Sequence, residues 1–109
     1  MASILLVEDH AMVASSLSRV LQERGQFDVA AVAGSGEAAL EKLEALQVDL
    51  VLIDVSLPQM SGIELVGAIR QRDQALPCLM LSGHVSTHYV ERAMAAGANG
   101  YVLKDSIPG

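Results

Sequence analysis

The segment Leu50-Val51-Leu52-Ile53 is an unbroken apolar run that ends on a carboxylate, Asp54, and continues into Val55-Ser56-Leu57-Pro58. A strand with one wet face alternates apolar and polar residues, so a run without alternation is covered on both faces. The pattern recurs along the chain. Ser3 to Val7 runs into Glu8-Asp9, Cys78 to Ser82 closes on a hydroxyl, and Gly100 to Leu103 precedes Lys104. Phe27 to Ala33 reads as one more strand. A carboxylate at the tip of a buried strand needs a partner or a task, because charged groups are rarely buried unpaired.

Amphipathic helices fill the gaps between these strands. Val13, Leu17, Val20 and Leu21 repeat at the i, i+4, i+7, i+8 spacing of one helix face. Asp9 or His10 starts that helix and Gly25 ends it. Ser35 caps a second helix with Ala39, Leu43 and Leu46 inward. A loop through Pro58 and Gly62 leads into a third, carrying Ile63, Val66 and Ile69. Thr87 to Ala96 forms a fourth with Val90, Ala93 and Met94 inward, closed by Gly97. Five strands separated by four helices predict an α/β fold with a doubly wound parallel sheet. In such sheets ligands bind beyond the carboxyl ends of the strands, where the strand order reverses. With the order 2-1-3-4-5 that point lies between strands one and three, which end in Glu8-Asp9 and Asp54.

At 109 residues the chain is a single domain, large enough to bury an α/β core without disulfides or a structural metal. Its one cysteine, Cys78, sits in an apolar segment and reads as a reduced core residue of a cytoplasmic protein. No apolar stretch is long enough to cross a membrane, and no export signal opens the chain. The net charge of −6 argues against a grip on a phosphate backbone by this segment. With one Phe and no Trp, base-stacking platforms are missing too.

Glu8, Asp9 and Asp54 at one crevice repel each other unless a cation joins them. Oxygen ligands in an open crevice suit Mg²⁺, while the bland alternative is a solvated acidic rim. Lys104 can pair with Asp54 in the empty site and with a phosphoryl oxygen in the filled one. Ser82, one strand away, can donate its hydroxyl to the same oxygen. His84 and His88 stand at a spacing that can bind zinc, but no third ligand accompanies them, so a solvated loop residue is the simpler reading of His84. His10 belongs near the start of the first helix and is not expected to act as a nucleophile.

Glu8-Asp9, the segment Asp54 to Gly62, Ser82-Gly83 and the run Gly97-Ala98-Asn99-Gly100-Tyr101-Val102-Leu103-Lys104 together resemble the receiver domain of bacterial two-component response regulators. The resemblance spans essentially the whole chain. Through Val7-Glu8-Asp9-His10 and Tyr101-Val102-Leu103-Lys104-Asp105 it is strongest to receivers joined to a helix-turn-helix DNA-binding domain. It implies a flavodoxin-like sheet of order 2-1-3-4-5. It further implies that Asp54 is the phosphoacceptor, taking a phosphoryl group from a sensor histidine kinase or phosphotransfer protein. Asp9, Asp54 and the backbone carbonyl of Ser56 would bind Mg²⁺, with Glu8 acting through a water. Lys104 and Ser82 would hold the phosphoryl oxygens, and Ser82 and Tyr101 would form the switch. Ser56 and His84 would flank the path of the hydrolytic water.

Two departures from the family pattern carry expectations of their own. Asp105, not proline, follows Lys104, which disfavours a cis peptide there. Ser106-Ile107-Pro108-Gly109 reads as the opening of a fifth helix. A receiver spanning 1–109 is therefore truncated before its last helix, with weakened stability or a homodimer as the expected result. The domain would promote only its own phosphorylation and dephosphorylation. Two alternatives stay open: a phosphorylation-independent interaction module, and a hydrolase with an aspartyl-phosphate intermediate. The hydrolase pattern places a second Asp two residues after the nucleophile, where Ser56 stands.

Overall fold

A computed structural model describes residues 1–83 and 87–104. Its elements, in chain order, are β1 (Ala2–Val7), α1 (Ala11–Glu23), β2 (Phe27–Ala33), α2 (Gly36–Ala45), β3 (Leu50–Asp54), α3 (Gly62–Arg72), β4 (Cys78–Ser82), α4 (Thr87–Ala96) and β5 (Gly100–Leu103). The strands form one sheet of order β2-β1-β3-β4-β5, parallel throughout. This is the flavodoxin-like α/β arrangement.

The continuous apolar runs are the three central strands. Ile4 to Val7 of β1, Val51 to Ile53 of β3 and Met80-Leu81 of β4 are buried. Their two faces feed two separate cores. Leu5, Val7, Val51, Ile53, Cys78 and Met80 pack with Ala39 of α2, Ile63, Leu65, Val66 and Ile69 of α3 and Ala93 of α4. Ile4, Leu6, Leu52 and Leu81 face the other way, onto Ala14 and Leu17 of α1. The edge strand β2 alternates instead, with Phe27, Val29 and Ala31 half-buried between exposed neighbours.

Capping chemistry sets the helix boundaries. Ser35 Oγ accepts from Ala38 N at the start of α2, and Ser61 Oγ accepts from Glu64 N at the start of α3, each at 3.1 Å. α1 ends where Gly25 takes φ +73°, and α4 where Gly97 takes φ +116°.

Two residues expected inside are on the surface. Leu46 is 40% exposed because α2 stops at Ala45 and the chain leaves in an extended conformation at Leu46. Met94 is exposed because the buried arc of α4 is narrow and centres on Ala93. The expected opening of a fifth helix at Ser106, and the Lys104–Asp105 peptide bond, lie outside the described residues.

Candidate functional site

Parallel strands all point the same way, so their last residues gather at one end of the sheet. Register brings Val7 beside Ile53, Asp54 beside Leu81 and Ser82 beside Leu103. Glu8 follows β1 directly, and its backbone N–H continues the sheet by donating to Ala33 O at 2.9 Å. Both carboxylates are taken out of water: Glu8 is 2% exposed and Asp54 3%. Asp9 and His10, at the turn into α1, are exposed.

A single lysine joins the two buried acids. Lys104 Nζ lies 3.0 Å from Glu8 Oε2 and donates to Asp54 Oδ2 at 3.1 Å. The other Asp54 oxygen, Oδ1, accepts from the backbone N–H of Ser56 at 3.1 Å. Glu8 Oε2 is buried, and the Lys104 ammonium is its charge partner.

These contacts move the titrations of the cluster in definite directions. Burial, aided by the neighbouring Glu8 charge, raises the Asp54 pKa despite the opposing Ser56 hydrogen bond and Lys104. Burial pulls Lys104 down, but Glu8 and Asp54 together outweigh it and its pKa is raised. His10 is raised by its hydrogen bond to Glu8 and by the charge of Asp9.

Ser82 ends β4 in a buried position, and Tyr101 is half-buried in β5. Both line one small cavity with Val55, Met80, Tyr89, Val90 and Ala93. His84 lies outside the described residues, and His88 is exposed on α4.

The chemistry of the donor set fits a divalent cation. Ligand atoms of Glu8, Asp9, His10 and Asp54 all lie within 4.8 Å of one another, and Glu8 and Asp54 among them are buried. One donor was not anticipated. The sequence pattern gives an oxygen-only site, whereas the ring of His10 turns back onto the acids, with Nδ1 3.1 Å from Glu8 Oε1 and 3.2 Å from Asp9 Oδ1. The signal for it is simple adjacency: His10 follows the acidic pair at the turn where β1 gives way to α1.

A second polar group was also missed, and it is structural. Arg70 Nε donates to Gly97 O at 2.9 Å and an Arg70 terminal nitrogen to Asn99 Oδ1 at 2.8 Å, while Asn99 Oδ1 also accepts from Cys78 N. This clamp ties α3 to the α4–β5 turn and to the start of β4. Burial pushes the Cys78 thiol up, in keeping with an inert core cysteine.

A doubly wound parallel sheet with acids and a lysine at its switch point defines a class of α/β domains whose ligand crevice lies at the strand ends. Residues 4–108 match the family described as response regulator receiver domain, and the chain belongs to that family. It is 37% identical over 105 residues to the DNA-binding transcriptional activator DevR/DosR of Mycobacterium tuberculosis, covering 96% of this chain and 48% of that protein. It is 34% identical over 109 residues to the nitrate/nitrite response regulator NarL of Escherichia coli, covering 98% of this chain and 50% of the relative. The chain thus spans about half the length of the curated relatives it matches. Among solved structures, a LuxR-family two-component response regulator from Aurantimonas superposes with a TM-score of 0.93 at 35% identity, over 97% of this chain and 76% of that one. The signal receiver domain of NarL from Mycobacterium tuberculosis superposes at 0.90 with 31% identity, over 96% and 85%. DevR/DosR is named a transcriptional activator and NarL a response regulator, and the receiver-domain family is not a conventional enzyme family. No helix among the described residues is long and apolar enough to cross a membrane.

Proposed function

We propose that this domain accepts a phosphoryl group on Asp54 from a phosphohistidine of a sensor histidine kinase or phosphotransfer protein, in the cytoplasm and with Mg²⁺. The observation that carries the reading is the buried Asp54 carboxylate paired with Lys104 at 3.1 Å in a crevice that also holds Glu8 and Asp9. In the transfer an Asp54 oxygen bonds to phosphorus as the phosphorus–nitrogen bond of the donor breaks. The released electron pair stays on the donor imidazole. Such a loose, in-line transfer asks for positioning and charge neutralisation more than covalent help.

Asp9, Asp54 and the Ser56 carbonyl would hold the metal, with Glu8 acting through a water. Bound Mg²⁺ would neutralise the crowded acids and the incoming phosphoryl oxygens. Lys104 releases Asp54 Oδ2 and pairs with a phosphoryl oxygen, keeping its charge satisfied throughout. Glu8, on the other side of Lys104, holds the ammonium in place during that exchange. The Ser56 N–H orients the carboxylate through Oδ1.

The signal leaves the site through Ser82 and Tyr101. The Ser82 hydroxyl moves to the new phosphoryl oxygens, and Tyr101, across the shared cavity, follows into the space that opens. The readout belongs to a DNA-binding output domain outside this segment, in line with the relatives named as transcriptional regulators and their greater length. The net charge of −6 leaves any contact with nucleic acid to that other part.

The test is incubation with acetyl phosphate and Mg²⁺, followed by mass analysis of the intact protein and its peptides. One phosphoryl group on Asp54, absent from Asp54→Asn and absent without Mg²⁺, is the expected result. Steady turnover of phosphoesters favours a hydrolase. No label and no response to beryllofluoride favour an interaction module that merely keeps the fold.

A further inference from the structure

His10 has no task in the transfer described above, yet its ring sits inside the carboxylate cluster. Its backbone is fixed: φ −91° and ψ 109° at the start of α1, with His10 O accepting from Ala14 N at 2.9 Å and its own N–H facing Glu8 Oε1 at 3.3 Å. The imidazole lies over the acids at the exposed rim of the crevice. Nδ1 stands 3.1 Å from Glu8 Oε1 and 3.2 Å from Asp9 Oδ1. Two donors bonded at ~2.1 Å and at right angles on one ion stand ~3.0 Å apart, close to the separation of Nδ1 from Asp9 Oδ1, so a cation held by Asp9 can take the place of the proton between these two atoms. The same Glu8 carboxylate is buried, and its other oxygen, Oε2, faces the Lys104 ammonium at 3.0 Å.

We propose that His10 Nδ1 is a metal ligand of this crevice and tilts its selectivity from Mg²⁺ toward borderline transition ions such as Co²⁺ and Ni²⁺. The inference rests on the functional reading above in placing a divalent cation at Asp9 and Asp54, and it adds a nitrogen donor to that site. Mg²⁺ favours oxygen ligands and gains little from an imidazole, whereas borderline ions bind nitrogen well. The selectivity ratio is therefore the quantity that His10 controls. Because the His10 side chain is 68% exposed, it can take up or leave the ion without repacking the core.

The probe is Co²⁺, titrated into the metal-free 109-residue chain and into His10→Gln. Proton NMR of the paramagnetic complex should show a strongly shifted, solvent-exchangeable resonance from the imidazole N–H remote from the metal. It should vanish in His10→Gln and survive in the double variant His84→Gln/His88→Gln. Calorimetry should find Co²⁺ binding weakened ~10-fold or more in His10→Gln, with Mg²⁺ binding changed by less than ~3-fold. A shifted resonance that persists in His10→Gln overturns the proposal. So does an equal loss of Co²⁺ and Mg²⁺ affinity, which would make His10 a positioning residue for Glu8. Mg²⁺-dependent labelling of Asp54 without a His10-dependent cobalt signal overturns this inference alone. Cobalt held by His10 in a chain that accepts no phosphoryl group overturns the functional reading alone.

Discussion

Asp54 is held in its folded environment against its own charge. Burial and the Glu8 carboxylate raise its pKa above the ordinary 3.8, so the native state binds the Asp54 proton more tightly than the unfolded chain does. The linkage sign follows: this contribution to stability is complete below 3.8 and is lost as pH rises through the raised folded value. Asp54→Asn removes the titration. In metal-free buffer the variant should therefore melt higher than wild type at pH 7, and the gap should close as pH falls toward 4; a gap that widens on acidification contradicts the assignment. Divalent cation should reverse the ranking. At a concentration ~100 times its dissociation constant, Mg²⁺ should stabilise wild type by ~2.7 kcal/mol and Asp54→Asn by much less, as read in the thermal midpoints with and without chelator. Most of this residue-scale picture was legible in the sequence, because a carboxylate, a hydroxyl and a lysine each end an apolar run. His10 was not, since the direction of a side chain at a turn depends on backbone angles that apolar periodicity does not encode.

Among the elements, the loop from β3 to α3 shows how the site is braced. Met60 N donates to Pro58 O at 2.8 Å, closing a three-residue turn around Gln59 at φ 67°. That is the left-handed region, where a side chain is strained. Gln59→Gly should therefore be neutral or stabilising by up to ~1 kcal/mol, the relief of strain exceeding the extra entropy of glycine. Gly62 answers the opposite need. A Cβ there would overlap the Asp54 carbonyl and press on Ile53, while Gly62 N donates to Val55 O. Gly62→Ala should cost ~1–3 kcal/mol in urea unfolding and shift the Asp54 backbone resonances, whereas Gly67→Ala, with open space around it on α3, should leave those resonances alone. The loop through Pro58 and Gly62 was readable from the sequence, but the particular overlap was not. Strand bounds came out well because unalternating apolar runs have one interpretation. The inward stripes of α2 and α4 came out less well, since helical spacing does not say where a helix stops or how narrow its buried arc is. The Arg70–Asn99 clamp joins residues far apart in sequence and carries no local signal.

For the whole molecule, the two faces of the sheet are unequally covered. One carries α2, α3 and α4; the other, among the described residues, carries α1 alone. Beside α1 a groove of about 330 Å³ is lined by Leu21, Phe27, Leu50, Leu79, Leu81 and Val102, among others. Apolar surface of this kind gains ~25 cal/mol for each Å² withdrawn from water, and a single amphipathic helix is enough to lie across it. A version carrying about 15 further residues after Gly109, patterned with an apolar stripe at helical spacing, should therefore unfold later by on the order of 2 kcal/mol. The thermal midpoint would rise by roughly 4–8 °C for each kcal/mol. A Gly/Ser tail of equal length is the control, since it adds chain without an apolar face. If the 109-residue chain instead covers the groove with a second copy, its midpoint will rise with protein concentration and its sedimentation will be that of a dimer. A concentration-independent monomer that melts at the same temperature with either tail would show that the groove needs no cover, and the expectation of a stabilising fifth helix would fall.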